Sequence, residues 1–207
     1  MTTNGKFISL EGGEGVGKST QVKALAEALQ ERGLDVIVTR EPGGSAGAEA
    51  IRELLLSGEE GRWSTGAEAL LFAAARADHV EKAIRPALER GTWVVSDRFV
   101  DSSMAYQGGA GGLGIERVRA LHDFGSGGLL PDRTLVLVLD EGRERASARD
   151  TVHDRIGGRG PDYHHKVELA FRLIAAEEPE RVRLVDASGS PEQVTRRLLD
   201  AVADLLP

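Results

Sequence analysis

Eight consecutive residues, Gly12-Gly13-Glu14-Gly15-Val16-Gly17-Lys18-Ser19, carry the spacing G-x-x-x-x-G-K-S/T. Glycine at this density lets the backbone curl until successive amide N–H groups face inward. A helix that starts where the loop ends adds its positive end at the same point. The chemistry that suits such a cradle is the holding of an anion, and Lys18 adds a movable cation for the β- and γ-phosphates of a nucleoside triphosphate. Ser19 offers a hydroxyl to a Mg²⁺ ion bridging two of those phosphates, which also needs a carboxylate at a strand end. Asp97 and Asp140 both close short apolar runs. Asp97 is the better placed, because Arg98 follows it and an anion for the metal and a cation for a phosphate then leave the sheet together. Asp140 opens an acidic stretch in which helix capping is the simpler role.

A phosphate loop alone serves switches, motors and small-molecule kinases, so the remaining residues must choose among them. Asn4 is the only asparagine of the chain, which removes the Asn-Lys-x-Asp motif that reads guanine. Asp123-Phe124-Gly125 has no His-Arg-Asp catalytic loop beside it and is a chance match to a protein-kinase tripeptide. Arg40, Arg52, Arg76 and Arg98 fall at or near the ends of strands or helices after the loop, a supply of guanidinium groups suited to a second phosphate. His164 and His165 lack a third ligand, and they and His79 read as solvated.

The elements that must position these residues follow from the pattern. Strands are expected at Lys6 to Leu10, Asp35 to Thr39, Trp93 to Ser96, Thr134 to Leu139 and Val182 to Val185. Between them lie helices with Val22, Leu25 and Leu29 on one face, then over Ala46 to Leu56 and over Thr65 to Arg90 with a break near Pro86. A last helix opens at Ser190, with Pro191 in its first position and Gln193 completing a capping box. Strand and helix alternating in this way give an α/β fold, a parallel five-stranded sheet with helices on both faces. The 207 residues suit one domain, 1–207, and two stretches, Gly108 to Gly114 and a lid at about 149–162, read as mobile connections. The charge balance, 26 − 33 = −7, disfavours a nucleic-acid binder, and the chain has no cysteine, which excludes thiol and disulfide chemistry. No apolar run approaches a membrane span, so a soluble protein of the cytoplasm without a leader is expected.

Four segments together resemble the successive signatures of bacterial thymidylate kinases: Glu11 to Thr20, Thr39-Arg40-Glu41-Pro42-Gly43-Gly44, Leu71-Phe72-Ala73-Ala74-Ala75-Arg76, and Asp97 through Gly108 with its Asp-Arg, Ser-Ser and Ala-Tyr-Gln-Gly groups. The resemblance implies a P-loop kinase that moves the γ-phosphoryl of ATP to dTMP with Mg²⁺, working as a homodimer. It assigns Gly12, Gly13, Glu14, Gly15, Val16, Gly17, Lys18, Ser19 and Thr20 to ATP, and Ser19 and Asp97 to the metal. Glu14 would face the sugar 3′-hydroxyl; Arg40, Arg52 and Arg98 the acceptor phosphate; Phe72 the face of thymine; and Arg76, Ser103 and Gln107 its edge. Pro42 joins the acceptor site, and Tyr106 would crowd the 2′ position and select deoxyribose. None of Gly13, Glu14, Gly15 and Val16 is cationic, and the resemblance then implies the arrangement of bacterial members, in which a lid arginine, here Arg149, Arg155 or Arg159, meets the charge of the transferring phosphoryl. Asp154-Arg155-Ile156 matches the lid motif best. A kinase of the same build for another nucleoside monophosphate, and a noncatalytic nucleotide-binding regulator, are the alternatives.

Overall fold

The computed structural model describes residues 5–59, 61–139 and 155–207. Five strands, β1 (Phe7–Gly12), β2 (Val36–Arg40), β3 (Trp93–Asp97), β4 (Arg133–Val138) and β5 (Val182–Asp186), form one sheet in the order β2-β3-β1-β4-β5. Every pairing is parallel. Burial on both faces explains the near-continuous apolar runs in β1 and β4, since in parallel sheets helices cover each side.

The pleat sorts alternate residues into two cores. Ile8, Leu10, Val95, Leu135, Leu137 and Val185 meet Val22, Leu25 and Leu29 of α1 (Lys18–Gln30) and Val194 and Leu198 of the C-terminal helix Pro191–Ala201. Phe7, Val94, Val136 and Val182 face the other way, onto Phe99, Met104, Val118, Phe171 and Ile174. Each such side chain withdrawn from water contributes about 1.5–3 kcal/mol. That second layer is built from α2 (Ala46–Leu56), α3 (Thr65–His79), α4 (Arg85–Glu89), α5 (Val100–Ser103), α6 (Ile115–Ser126) and α7 (Pro161–Glu177); the C-terminal helix is α8. The capping box that opens α8 is present as expected: Ser190 Oγ accepts from Gln193 N, and Ser190 N donates to Gln193 Oε1 at 2.9 Å.

Two expectations about the second layer need correction. The helix from Thr65 changes at Val80 rather than at Pro86: a π-helical turn, Val80–Ile84, widens it before α4 begins. Pro86 then falls in the first turn of α4, where its missing N–H is not needed. The stretch from Gly108 is not a loose connection either. Met104–Ala110 forms a second π-helical turn running on from α5, and Gln107 and Gly108 are buried. Its glycines are there for close approach: a Cβ on Gly109 would lie 2.6 Å from that of Ala170 on α7. Of the lid segment, residues 149–154 lie outside the described residues, Arg155–Gly160 form a turn, and Pro161 and Asp162 already belong to α7.

Candidate active site

The register of the sheet brings three chain segments to one edge. Arg40 on β2 is paired with Asp97 on β3, and Asp97 with Leu10 on β1, so the loop after β1 leaves the sheet beside both. Ligands of open α/β sheets bind in this position, outside the carboxyl ends of the strands. Gly12, Gly15 and Gly17 hold positive φ angles of 133°, 71° and 91°, and a Cβ on Gly12 would sit 2.5 Å from the Leu137 carbonyl. Gly17 is the left-handed residue from which α1 starts.

Lys18 curls back over the loop and donates from Nζ to the carbonyls of Gly12 at 3.1 Å and Gly13 at 2.5 Å. Burial, reinforced by the Arg98 charge, pushes its ammonium down to about 8. Ser19 donates from Oγ to Asp97 Oδ2 at 2.8 Å. One hydroxyl beside one carboxylate is a donor set that fits Mg²⁺, which binds through one or two protein oxygens and keeps its other positions for water and phosphate. Among the described residues no group of three or more His, Cys, Asp or Glu could cage a metal.

Arg98 has φ 71°, the only positive value at a non-glycine among the described residues. That turn throws its guanidinium back over the loop, where Nη2 donates to Glu14 Oε1 at 2.6 Å and Nη1 to Ser102 Oγ at 3.0 Å and to the Gly12 carbonyl at 3.2 Å. Behind it Glu11 is buried, accepting from Phe99 N at 2.7 Å and Ser102 Oγ at 2.5 Å. Burial first, and the Asp101 carboxylate second, push Glu11 up to about 8. Tyr106 lies under Arg98, whose guanidinium carbon is 5.1 Å from the ring centre, and burial pushes its phenol up to about 12.

A cavity of about 470 Å³ is lined both by Gly15, Lys18, Ser19 and Thr20 of the phosphate loop and α1 and by Glu14, Arg40, Pro42, Arg52, Phe72, Arg76, Asp97, Arg98, Ser103, Tyr106 and Gln107. Arg52 donates to the Pro42 carbonyl at 2.7 Å across a cis Glu41–Pro42 peptide, and Arg40 pairs with Glu49 at 3.0 Å near the surface. Arg76 is 3% exposed and braced through two of its nitrogens: Nε donates to Glu41 Oε2 at 2.7 Å, and Nη2 to Ser103 Oγ at 2.9 Å and the Phe99 carbonyl at 3.2 Å. His79 is not solvated as the sequence reading has it. It is 0% exposed, bridging Glu41 Oε1 at 3.1 Å and Thr39 Oγ1 at 2.7 Å. His164, half-buried, is bonded to the Gly157 carbonyl at 3.1 Å.

The lid arginines are placed differently from the rest. Arg155 and Arg159 each donate from Nη2 to Glu68 Oε2 at 2.6 Å, and Arg155 Nε also donates to the Leu55 carbonyl at 2.9 Å. They are held against α3, while Ile156 between them lines the cavity. Arg149, Asp154 and Asp140 lie outside the described residues. The residues that sequence reasoning passed over are the carboxylates Glu11, Glu41 and Glu68. For Glu68 a signal existed: Glu68, Phe72, Arg76 and His79 stand at intervals of four, four and three, one stripe of a single helix.

A phosphate loop at the centre of a parallel sheet, sharing one cavity with a second set of arginines and an aromatic ring, is the arrangement of a P-loop kinase fold. The thymidylate kinase family profile matches residues 10–198. The chain is 63% identical to a thymidylate kinase of Rhizorhabdus wittichii over 98% of its own length and 99% of the relative's, and 48% identical to one of Caulobacter vibrioides over 99% of each. The crystal structure of thymidylate kinase from Ehrlichia chaffeensis superposes with a TM-score of 0.79 at 28% identity, covering 96% of this chain and 99% of that one. The chain belongs to the thymidylate kinase family.

Proposed function

We propose that this protein transfers the γ-phosphoryl group of ATP to the 5′-phosphate of dTMP, giving dTDP and ADP. The observation that carries the reading is one cavity lined by Lys18 and Ser19 as well as by Phe72, Arg76, Ser103 and Gln107. The acceptor oxygen is already anionic at neutral pH, so no general base is needed, and the protein's tasks are alignment, charge compensation and exclusion of water. Arg98, with Arg40 and Arg52, supplies guanidinium groups for the acceptor phosphate; Glu14, beside Arg98, faces the sugar. Phe72 offers a ring to the base, and Arg76 and Ser103, already bonded to one another, offer donors to its edge. Tyr106 closes the wall beside the sugar. Ser19 and Asp97 would hold Mg²⁺, which supplies charge compensation between the phosphates.

For a lid arginine to reach the transferring phosphoryl, Arg155 or Arg159 must leave Glu68, or Arg149 must serve instead. A homodimer is supported by the apolar surface that α3 and α6 share. Gly125 of α6 packs on Ala73 and Ala77 of α3, and the neighbouring Phe124 and Leu70 are 94% and 58% exposed. One kinase domain over 1–207 and a cytoplasmic setting complete the proposal; among the described residues no helix is long and apolar enough to cross a membrane.

The test is acceptor-dependent ADP formation with ATP and Mg²⁺ across dTMP, dUMP, dCMP and UMP. Highest kcat/KM with dTMP is expected. Preference for another monophosphate would overturn the assignment in favour of a different acceptor, and ADP formation indifferent to any acceptor would overturn the kinase reading.

A further inference from the structure

Glu68 is a fully buried carboxylate one helical turn from Phe72, and three donors converge on it. Gln107 Nε2 donates to Oε1 at 2.9 Å; Arg155 and Arg159 both donate to Oε2. All three partners donate, two of them guanidinium groups, and a carboxylate facing them acts as acceptor. A carboxamide has one donating and one accepting end, and only the donating end can face such a partner. Glu68 therefore decides which way round the Gln107 amide lies. Gln107 lines the cavity, and its Oε1 is buried without a partner among the described residues. That oxygen is the amide's unused acceptor, and a small movement of the cavity wall on binding would bring it against an occupant.

The geometry points to Glu68 as a positioning residue for acceptor choice: by turning Gln107 Oε1 toward the cavity, it makes the site take a pyrimidine whose N3 carries a proton and turn away one whose N3 is a lone pair. The inference rests on the dTMP reading. Thymine and uracil present a donor at N3 beside an acceptor at O4, and Gln107 Oε1 with the Arg76 donors is the complementary pair. Cytosine presents an acceptor at N3 beside a donor amine, so oxygen would face a lone pair and guanidinium would face N–H, leaving buried groups unpaired. Because Oε2 of the same carboxylate holds Arg155 and Arg159, any effect of Glu68 on the lid is shared by all acceptors. It cancels in a ratio between them.

The experiment measures kcat/KM for dTMP and dCMP at saturating ATP and Mg²⁺ in the full-length protein, in Glu68→Gln, in Gln107→Leu and in the double variant. The neutral amide of E68Q can donate as well as accept, which frees Gln107 to turn over. The expected result is a fall of at least tenfold in the dTMP-to-dCMP ratio for E68Q, carried by the KM of the acceptor. A similar fall is expected for Q107L, with no further fall in the double variant. An unchanged ratio in E68Q, or an undiminished effect of E68Q in the Q107L background, would overturn the inference. Should E68Q not fold, a crystal structure of the unaltered protein with dTMP decides: Gln107 Oε1 within hydrogen-bond distance of N3 and Nε2 still on Glu68 is expected, and any other group facing N3 refutes it. An unaltered enzyme that prefers dCMP would instead defeat the dTMP assignment itself, whereas one that prefers dTMP with an E68Q ratio unmoved defeats this inference alone.

Discussion

Binding of a nucleotide to the phosphate loop should draw a proton from solvent at alkaline pH. Burial and the nearby Arg98 hold the Lys18 ammonium at about 8 instead of 10.5, a penalty on the charged form of about 3 kcal/mol at about 1.4 kcal/mol per pH unit. Glu14, Asp97 and Glu11 pull the other way but do not cancel it. A bound polyphosphate supplies the missing negative charge, so the lysine of the complex stays protonated well above pH 8. The uptake per nucleotide then equals the fraction of free protein that has lost the proton: about half at pH 8 and about nine tenths at pH 9. The Kd for ADP should accordingly rise toward tenfold per pH unit above 8. Calorimetry of ADP binding in two buffers of different ionisation enthalpy reads the uptake directly. Glu11 titrates in the same range, so Glu11→Gln is the control in which the uptake should persist, while Lys18→Ala should abolish both it and turnover. No uptake at pH 9, or uptake undiminished in K18A, would refute the account.

Arg155→Ala and Arg159→Ala should each lower kcat at least tenfold with the KM for dTMP little changed, if that arginine swings from Glu68 to the phosphoryl group; steady-state kinetics on both variants identifies which one acts. Glu41→Gln strips the buried partner from both Arg76 and His79 and should cost about 3–5 kcal/mol in urea unfolding while weakening dTMP binding. Glu11, held up to about 8 when folded against 4.5 when exposed, stabilises the fold fully below pH 4.5 and loses that contribution as pH rises through 8. Urea titrations from pH 5 to 9 should show a decline of up to about 5 kcal/mol that Glu11→Gln flattens.

The sheet was legible from the amino-acid order because each strand is a short apolar run, and the expected strand ends differ from the observed ones by at most two residues. The phosphate loop was legible because its chemistry is local: eight adjacent residues and the strand and helix beside them contain all of it. The acceptor residues are scattered from Glu14 to Gln107, and it took the resemblance to group them before the fold placed them in one cavity. What neither periodicity nor motif conveyed was the set of buried carboxylates. Glu11, Glu41 and Glu68 read as ordinary charged residues, since burial is tolerable only with partners far along the chain: Phe99 and Ser102 for the first, Arg76 for the second, Gln107, Arg155 and Arg159 for the third. His79 was misjudged for the same reason. The glycines at 108 and 109 signalled flexibility in composition and serve contact in the structure.

The π-helical turn over Met104–Ala110 makes the exact number of residues part of the recognition apparatus. It follows directly on Ser103 and carries Tyr106 and Gln107, and such a turn holds one residue more than an α-helical one, so deleting one residue there would restore ordinary winding and move the side chains within it by up to about 100°. The helix would survive and its reading edge would point elsewhere. Across relatives, substitutions should therefore be far better tolerated in this stretch than insertions or deletions, and a one-residue gap placed here by an alignment would mark either an error or a protein that has changed its substrate.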